Sequence, residues 1–130
     1  KGWRVCPLIC YDLRFPVWSR LKSSGVDYYE YDILVYIASW PKTRVNVWDT
    51  LLSARAIENQ SYCIGVNRVG IDGNNLEYPG HSSLYDYSGF QQSFLGEEAT
   101  TLTTLLSKEN LDFFRNNFPF QKDADFFKLL

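Results

Sequence analysis

Apolar positions along the chain fall into three nearly unbroken runs, separated by segments with helical spacing. Trp3–Ile9 reads as a mostly apolar strand. "YDILVYIASW" (Tyr31–Trp40) is the clearest of the three: continuous, β-branched and aromatic, as strands buried on both faces are, until Pro41 stops it. "YCIGVNRV" (Tyr62–Val69) predicts a third strand. Between the first two, the residues after Pro16 predict a short helix carrying Val17, Trp18 and Leu21, followed by a loop at Ser23-Ser24-Gly25. From Val45 to Gln60 the spacing becomes helical, with Trp48, Leu51, Leu52, Ala56 and Ile57 as the apolar stripe. Strand, helix, strand, helix, strand in that order calls for an α/β fold with helices layered on a sheet.

The second half changes character. Ile71–Asn75 predicts a turn, and "DYSG" (Asp86–Gly89) a hairpin turn between short strands. "TTLTTLL" (100–106) has the alternation of a further strand. Ser107 is placed to N-cap a helix that begins near Lys108 and includes Asn110–Phe114. The tail "NFPFQKDADFFKLL" carries phenylalanines without a clear period. Nothing in the chain reads as an internal repeat or a linker, so one domain, or one piece of a domain, is expected.

Composition narrows the partners. Thirteen basic and fifteen acidic side chains leave a formal charge of −2 without long like-charged blocks, which argues against nucleic-acid and anionic-membrane binding. The purely apolar stretches are too short to span a bilayer. No leader pattern signals secretion. The three cysteines are an odd number, with Cys6 and Cys10 too widely spaced for a redox or zinc pair. With one histidine besides, no metal site is expected, and a reducing, cytoplasmic setting is. The chain contains no methionine and opens on Lys1-Gly2-Trp3, which predicts a part of a longer polypeptide.

A lone strand cysteine is ordinarily a small hydrophobe, and Cys6 and Cys63 take that reading. Cys10 differs because it stands where a strand gives way to a turn. There a thiol can face a cleft with the next backbone N–H, that of Tyr11, beside it as an oxyanion donor. A nucleophilic thiol also needs a base or a cation. His81, in "YPGHSS", is the only histidine that could form a dyad with Cys10, and no third residue emerges to orient it. Asp12 and Arg14 predict a local ion pair holding the turn. Trp40 ends the second strand, where α/β sheets display ligand-binding groups. Arg44 follows in the next loop, where it can meet a substrate carboxylate. Glu58 is expected to pair with Arg55 three residues away, and Lys22 and Lys42 to be solvated.

"LICYDLRFP", "ASWP", "WDTLLSARAIENQSYCIGVNRVG" and "GHSSLYDYSG", in that order, resemble the nitrilase superfamily of carbon–nitrogen hydrolases, and within it the ω-amidase branch. The resemblance covers nearly the whole chain. It implies the C-terminal half of an α-β-β-α sandwich, with residues 1–130 as part of a single domain whose N-terminal half is absent. It implies Cys10 as the nucleophile of a thioester mechanism, aided by the Tyr11 N–H, with no metal or organic cofactor. The implied substrate is a small amide, the terminal amide of 2-oxoglutaramate or 2-oxosuccinamate, and ammonia is released. The family's general-base glutamate, its partner glutamate and its oxyanion lysine lie upstream of the cysteine, so the chain alone is expected to be inactive. An exposed sheet face awaiting the missing half is expected too, and so is a homo-oligomer with the tail from Phe118 to Phe127 at a subunit interface. Other readings remain open: an N-carbamoyl-amine or nitrile hydrolase of the same superfamily, a non-catalytic interaction domain that keeps the fold, and a self-contained Cys10–His81 hydrolase.

Overall fold

Three of the strands run parallel because each of the apolar runs enters the sheet from the same end. The structure, a computed structural model, describes residues 2–20 and 29–125. β1 (Val5–Ile9), β2 (Ile33–Ala38) and β3 (Tyr62–Asn67) pair in parallel, with Val5 opposite Ile33 and Ile33 opposite Tyr62. β6 (Ser82–Tyr85) joins β3 antiparallel and β7 (Gln91–Leu95) follows it, giving a five-stranded sheet in the order β1-β2-β3-β6-β7. β4 (Val69–Ile71) and β5 (Glu77–Pro79) form a separate antiparallel hairpin, closed by Asp72, whose carboxylate accepts from the Asn74 and Leu76 N–H groups.

One face of the sheet is covered by the helix α2 (Val45–Asn59), which connects β2 to β3. Leu34, Tyr36, Ala38 and Cys63 on the sheet meet Trp48, Leu52 and Ala56 on the helix, with Leu13, Trp40 and Tyr85 closing the cluster. Gly65 lets the helix approach closely: a Cβ there would stand 2.4 Å from a Leu52 methyl and 2.6 Å from the Trp48 ring. The buried stripe of α2 is not the expected one. Trp48, Leu52 and Ala56 lie on it, but so do Arg55 and Asn59, whereas Ile57 faces out, 47% exposed. The helix ends with Gln60 in the left-handed conformation (φ +43°), where its N–H reaches the Ala56 and Ile57 carbonyls.

The opposite face is only half covered. Near the start of the strands, Ile33, Tyr62 and Leu84 pack with Leu111 of α3 (Lys108–Asn117), whose Ser107 N-cap accepts from the Asn110 N–H as the sequence predicts. Toward the strand ends, Ile9, Ile37 and Val66 lie side by side in register and are 61%, 54% and 46% exposed. Parallel strands are ordinarily buried on both faces, so this aliphatic row is an anomaly for a finished sheet.

The hairpin turn at Asp86–Gly89 forms as expected: the Gly89 N–H donates to the Asp86 carbonyl, and the Asp86 side chain accepts from Ser88 and Phe90. One expectation needs correcting. Residues 100–106 join no ladder, because alternating threonines favour a strand only where a partner strand exists; they are exposed up to Leu105, and Leu106 packs against the Ile33, Tyr62, Leu84 and Leu111 cluster. The helix after Pro16, α1, is a single turn, Pro16–Ser19. Leu21, Lys22, the Ser23-Ser24-Gly25 loop and the end of the aromatic tail lie outside the described residues.

Candidate active site

The C-terminal ends of β1 and β2 bring two loops together. β1 runs straight into a 3₁₀ turn, Cys10–Arg14, and Cys10 adopts φ +36°, a conformation a residue with a Cβ avoids. The turn is pinned at its start by the Asp12 carboxylate, which accepts from the Ile9 N–H at 2.9 Å. Its far end is fixed by the fully buried Leu13 side chain and by Arg55 of α2, whose Nη2 donates to the Leu13 carbonyl at 2.6 Å. The Cys10 thiol lies 4.0 Å from the Ser39 carbonyl oxygen, at the end of β2.

A cleft of about 420 Å³ opens here, lined by Cys10, Tyr11, Arg14, Ser39, Trp40, Pro41 and Arg44. All four residues singled out from the sequence, Cys10, Tyr11, Trp40 and Arg44, therefore share one cavity. Trp40 is buried and held by its backbone: Asn67 Oδ1 accepts from the Trp40 N–H at 2.7 Å, and Asn67 Nδ2 donates to the Trp40 carbonyl at 2.9 Å. The indole N–H donates to the Arg44 carbonyl at 2.8 Å, fixing the loop that carries Arg44.

Arg14 does not pair with Asp12. Residues two apart do not face each other around a helical turn, and the Arg14 guanidinium instead stacks on the Trp40 ring, 4.9 Å from its centroid. Among the described residues neither Arg14 nor Arg44 forms an ion pair, and no carboxylate lines the cleft. Two guanidinium groups beside a thiol make a cavity for an anion. Neither a glutamate nor a lysine lines it, so the described residues supply no general base and no ammonium group there.

His81 is not brought to Cys10. It sits in a left-handed conformation (φ +57°) between β5 and β6, with Nδ1 3.0 Å from Asp49 Oδ2 and its ring edge-on to Phe94. The orienting residue that the sequence did not disclose is thus Asp49, 32 positions away, but the pair lies outside the cleft lining. Glu58 accepts from Arg55 at 3.1 Å, as its spacing implies. Lys42 bridges Glu77 and Glu97 at 3.2 and 3.3 Å on the surface, and both contacts push its pKa up. Among the described residues no cluster of His, Cys, Asp and Glu could hold a metal ion, and no helix is long and apolar enough to cross a membrane.

The other thiols differ from Cys10 in their surroundings. Cys63 is fully buried between sheet and helix, and burial pushes its pKa up. Cys6 is raised as well, by burial and by the charge of Glu30. Iodoacetamide should therefore modify Cys10 at least about tenfold faster than Cys6 or Cys63, since the thiolate is the reacting form. Peptide mapping of a partly alkylated sample reads this directly, and equal labelling of all three would count against a preformed nucleophile site.

The arrangement has clear relatives. The carbon-nitrogen hydrolase family profile matches residues 1–116. The ω-amidase YafV of Yersinia enterocolitica is 47% identical over 131 residues, covering 100% of this chain and 49% of the relative. A 2-oxoglutaramate amidase of Paenarthrobacter nicotinovorans is 36% identical, covering 88% of this chain and 37% of its own length. The crystal structure of XC1258 from Xanthomonas campestris, a CN-hydrolase superfamily protein with an arsenic adduct in its active site, superposes with a TM-score of 0.95 at 42% identity. That match covers 100% of this chain and 50% of XC1258, so the chain spans about half the length of the relatives it matches. With its fold, its thiol-bearing turn and its sequence all pointing the same way, the chain belongs to the carbon–nitrogen hydrolases of the nitrilase superfamily, among the ω-amidase-like members.

Proposed function

We propose that this chain is the C-terminal half of a single-domain ω-amidase, cleaving the terminal amide of 2-oxoglutaramate or 2-oxosuccinamate to release ammonia. The observation that carries the reading is the convergence of Cys10, Tyr11, Trp40 and Arg44 on one cleft, with Cys10 on a turn of unfavourable φ. The Cys10 thiolate adds to the amide carbonyl carbon, and the Tyr11 N–H stabilises the resulting oxyanion. Collapse of the tetrahedral intermediate breaks the C–N bond and expels ammonia, leaving a thioester. Water then adds to that thioester, and the carboxylate product leaves as the thiolate is regenerated. A glutamate that takes and returns the protons, and a lysine for the oxyanion, come from the N-terminal half, which supplies the second sheet over the Ile9, Ile37 and Val66 row.

The same reading places the protein in the cytoplasm as a homo-oligomer, with the exposed Phe113 and Phe118 of the C-terminal region available to a subunit interface. The two unpaired guanidinium groups favour a substrate with a carboxylate over a neutral amide.

Ammonia release from 2-oxoglutaramate by this chain together with its upstream half tests the reading. Arg44→Ala should raise KM for 2-oxoglutaramate about 10- to 100-fold, the scale of one charge-assisted contact. Turnover of a neutral amide such as butyramide should be unchanged. If both substrates suffer equally, Arg44 does not read the carboxylate. If neither wild-type reaction depends on the thiol, the thioester mechanism fails, and if no ammonia is released the amidase reading fails.

A further inference from the structure

The helix α2 buries a cation where packing alone would place an aliphatic side chain. Arg55 is 4% exposed and shares the inward face of the helix with Trp48, Leu52 and Ala56. Burying a guanidinium in such a face is costly unless the charge is used. Its bonds show where it is used: Nη1 reaches the Glu58 carboxylate at 3.1 Å, and Nη2 reaches the Leu13 carbonyl at 2.6 Å, 42 residues away. The third donor, Nε, is buried without a partner. The group is thus anchored on its own helix by Glu58 and spends its remaining reach on the turn that carries Cys10.

We propose that Arg55 is a positioning residue for the nucleophile turn, holding Cys10 in its unfavourable backbone conformation from the side of α2. Beyond the strand ladder and the packing of Leu13 and Arg14, two hydrogen bonds to its backbone restrain the turn. Asp12 ties its entry by accepting from the Ile9 N–H, a bond that spans three residues and travels with the turn. Arg55 ties its exit at Leu13 to an element that does not move with it. The Asp12 bond shapes the turn locally, whereas the Arg55 bond ties its backbone to a second element, alongside the Leu13 packing and the Arg14 stack on Trp40. Release of Leu13 lets φ of Cys10 relax from +36°, which turns both the thiol and the following N–H away from their shared target. Such misplacement lowers the rate of the chemical step and leaves substrate affinity, carried by Arg44 and Trp40, in place.

The inference rests on Cys10 being the nucleophile, and its test separates the two claims. In the enzyme assembled with its N-terminal half, Arg55→Lys keeps the charge but cannot serve Glu58 and Leu13 together. It should lower kcat about 30-fold or more with KM within about twofold, and slow iodoacetamide modification of Cys10 about tenfold. Glu58→Gln removes the ion partner yet leaves the bond to Leu13, and should retain kcat within about threefold. Arg55→Gln, neutral and still helix-forming, serves as the second variant if the lysine does not fold. The proposal is overturned by wild-type kcat and alkylation in Arg55→Lys. It is equally overturned by a loss in Glu58→Gln as large as in Arg55→Lys, or by failure of both Arg55 variants to fold, since either makes Arg55 a residue of stability only. Activity that survives Cys10→Ala instead removes Cys10 as the nucleophile, while the alkylation rates of Cys10 in the Arg55 variants still report on the turn.

Discussion

Replacing Cys10 with alanine should lower ammonia release from 2-oxoglutaramate by at least about 10⁴-fold, because a covalent mechanism loses its first bond rather than a stabilising contact. The fold should survive the change. Cys10 is only partly buried at the edge of the core cluster, its thiol makes one long hydrogen bond to the Ser39 carbonyl, and alanine is smaller. Alanine tolerates φ +36° no better than cysteine, so Tm should move little. Mass spectrometry supplies the companion measurement: a short-lived mass increase on the peptide containing Cys10, present with substrate and absent in the variant, marks the thioester. Activity within about tenfold of wild type in Cys10→Ala would mean that the amide is attacked by something other than this thiol, such as water activated elsewhere.

The location of that thiol could be read from the chain because the physics is local. An apolar run of strand length that ends at a cysteine, followed by Tyr-Asp and a proline, must place the thiol at a strand end. In a parallel sheet neighbouring strands end on the same side, so Trp40 after β2 had to stand near Cys10 after β1. What escaped the sequence depends on contacts between distant residues. Asn67 ends an apolar strand and looks like its polar terminus, yet its amide clamps the Trp40 backbone from 27 positions away. Arg55 was paired with Glu58 because their spacing is helical; the pair exists, but the spacing could not disclose that the helix turns Arg55 inward. Arg14 was placed with Asp12 by adjacency, and the 3₁₀ turn sends them to different partners, the indole and the Ile9 N–H. Threonine alternation at 100–106 is a true strand pattern without a strand beside it. The Arg55–Glu58 signal held, whereas the Asp12–Arg14 pair and the strand at 100–106 did not form, because tertiary partners decide how a local signal is used.

Asp32→Asn should give the largest loss of stability, at the end of the sheet opposite the cleft. Asp32 is completely buried just before β2. Its carboxylate accepts from the Arg4 N–H and the Arg115 guanidinium, each at 3.0 Å, and from Lys108 at 3.0 Å, so one anion joins the chain start, β2 and α3. Burial alone would raise its pKa, but the hydrogen bonds from the Arg4 N–H, Lys108 and the Arg4 side chain outweigh that and bring it down to about 2. A carboxyl lowered in the folded state stabilises above its unfolded value, near 3.8, and that contribution is lost as pH falls toward 2. The shift corresponds to about 2 kcal/mol. Asparagine also leaves Arg115 buried beneath Tyr29 without its anion, which brings the expected cost at pH 7 to about 3–5 kcal/mol. Urea unfolding of both proteins at pH 7 and near pH 2.5 checks this, with the gap between them narrowing by about 1.5 kcal/mol at the lower pH, where the folded-state carboxyl is still partly ionised. A gap that is the same at both values would mean that the Asp32 charge is not what holds α3 to the sheet. Because this cluster sits at the strand starts and Cys10 at the strand ends, the variant should still show fast alkylation of Cys10 under conditions where it is folded. The stabilising cluster and the proposed nucleophile thus sit at opposite ends of the same three parallel strands, so each variant should lose one property and keep the other.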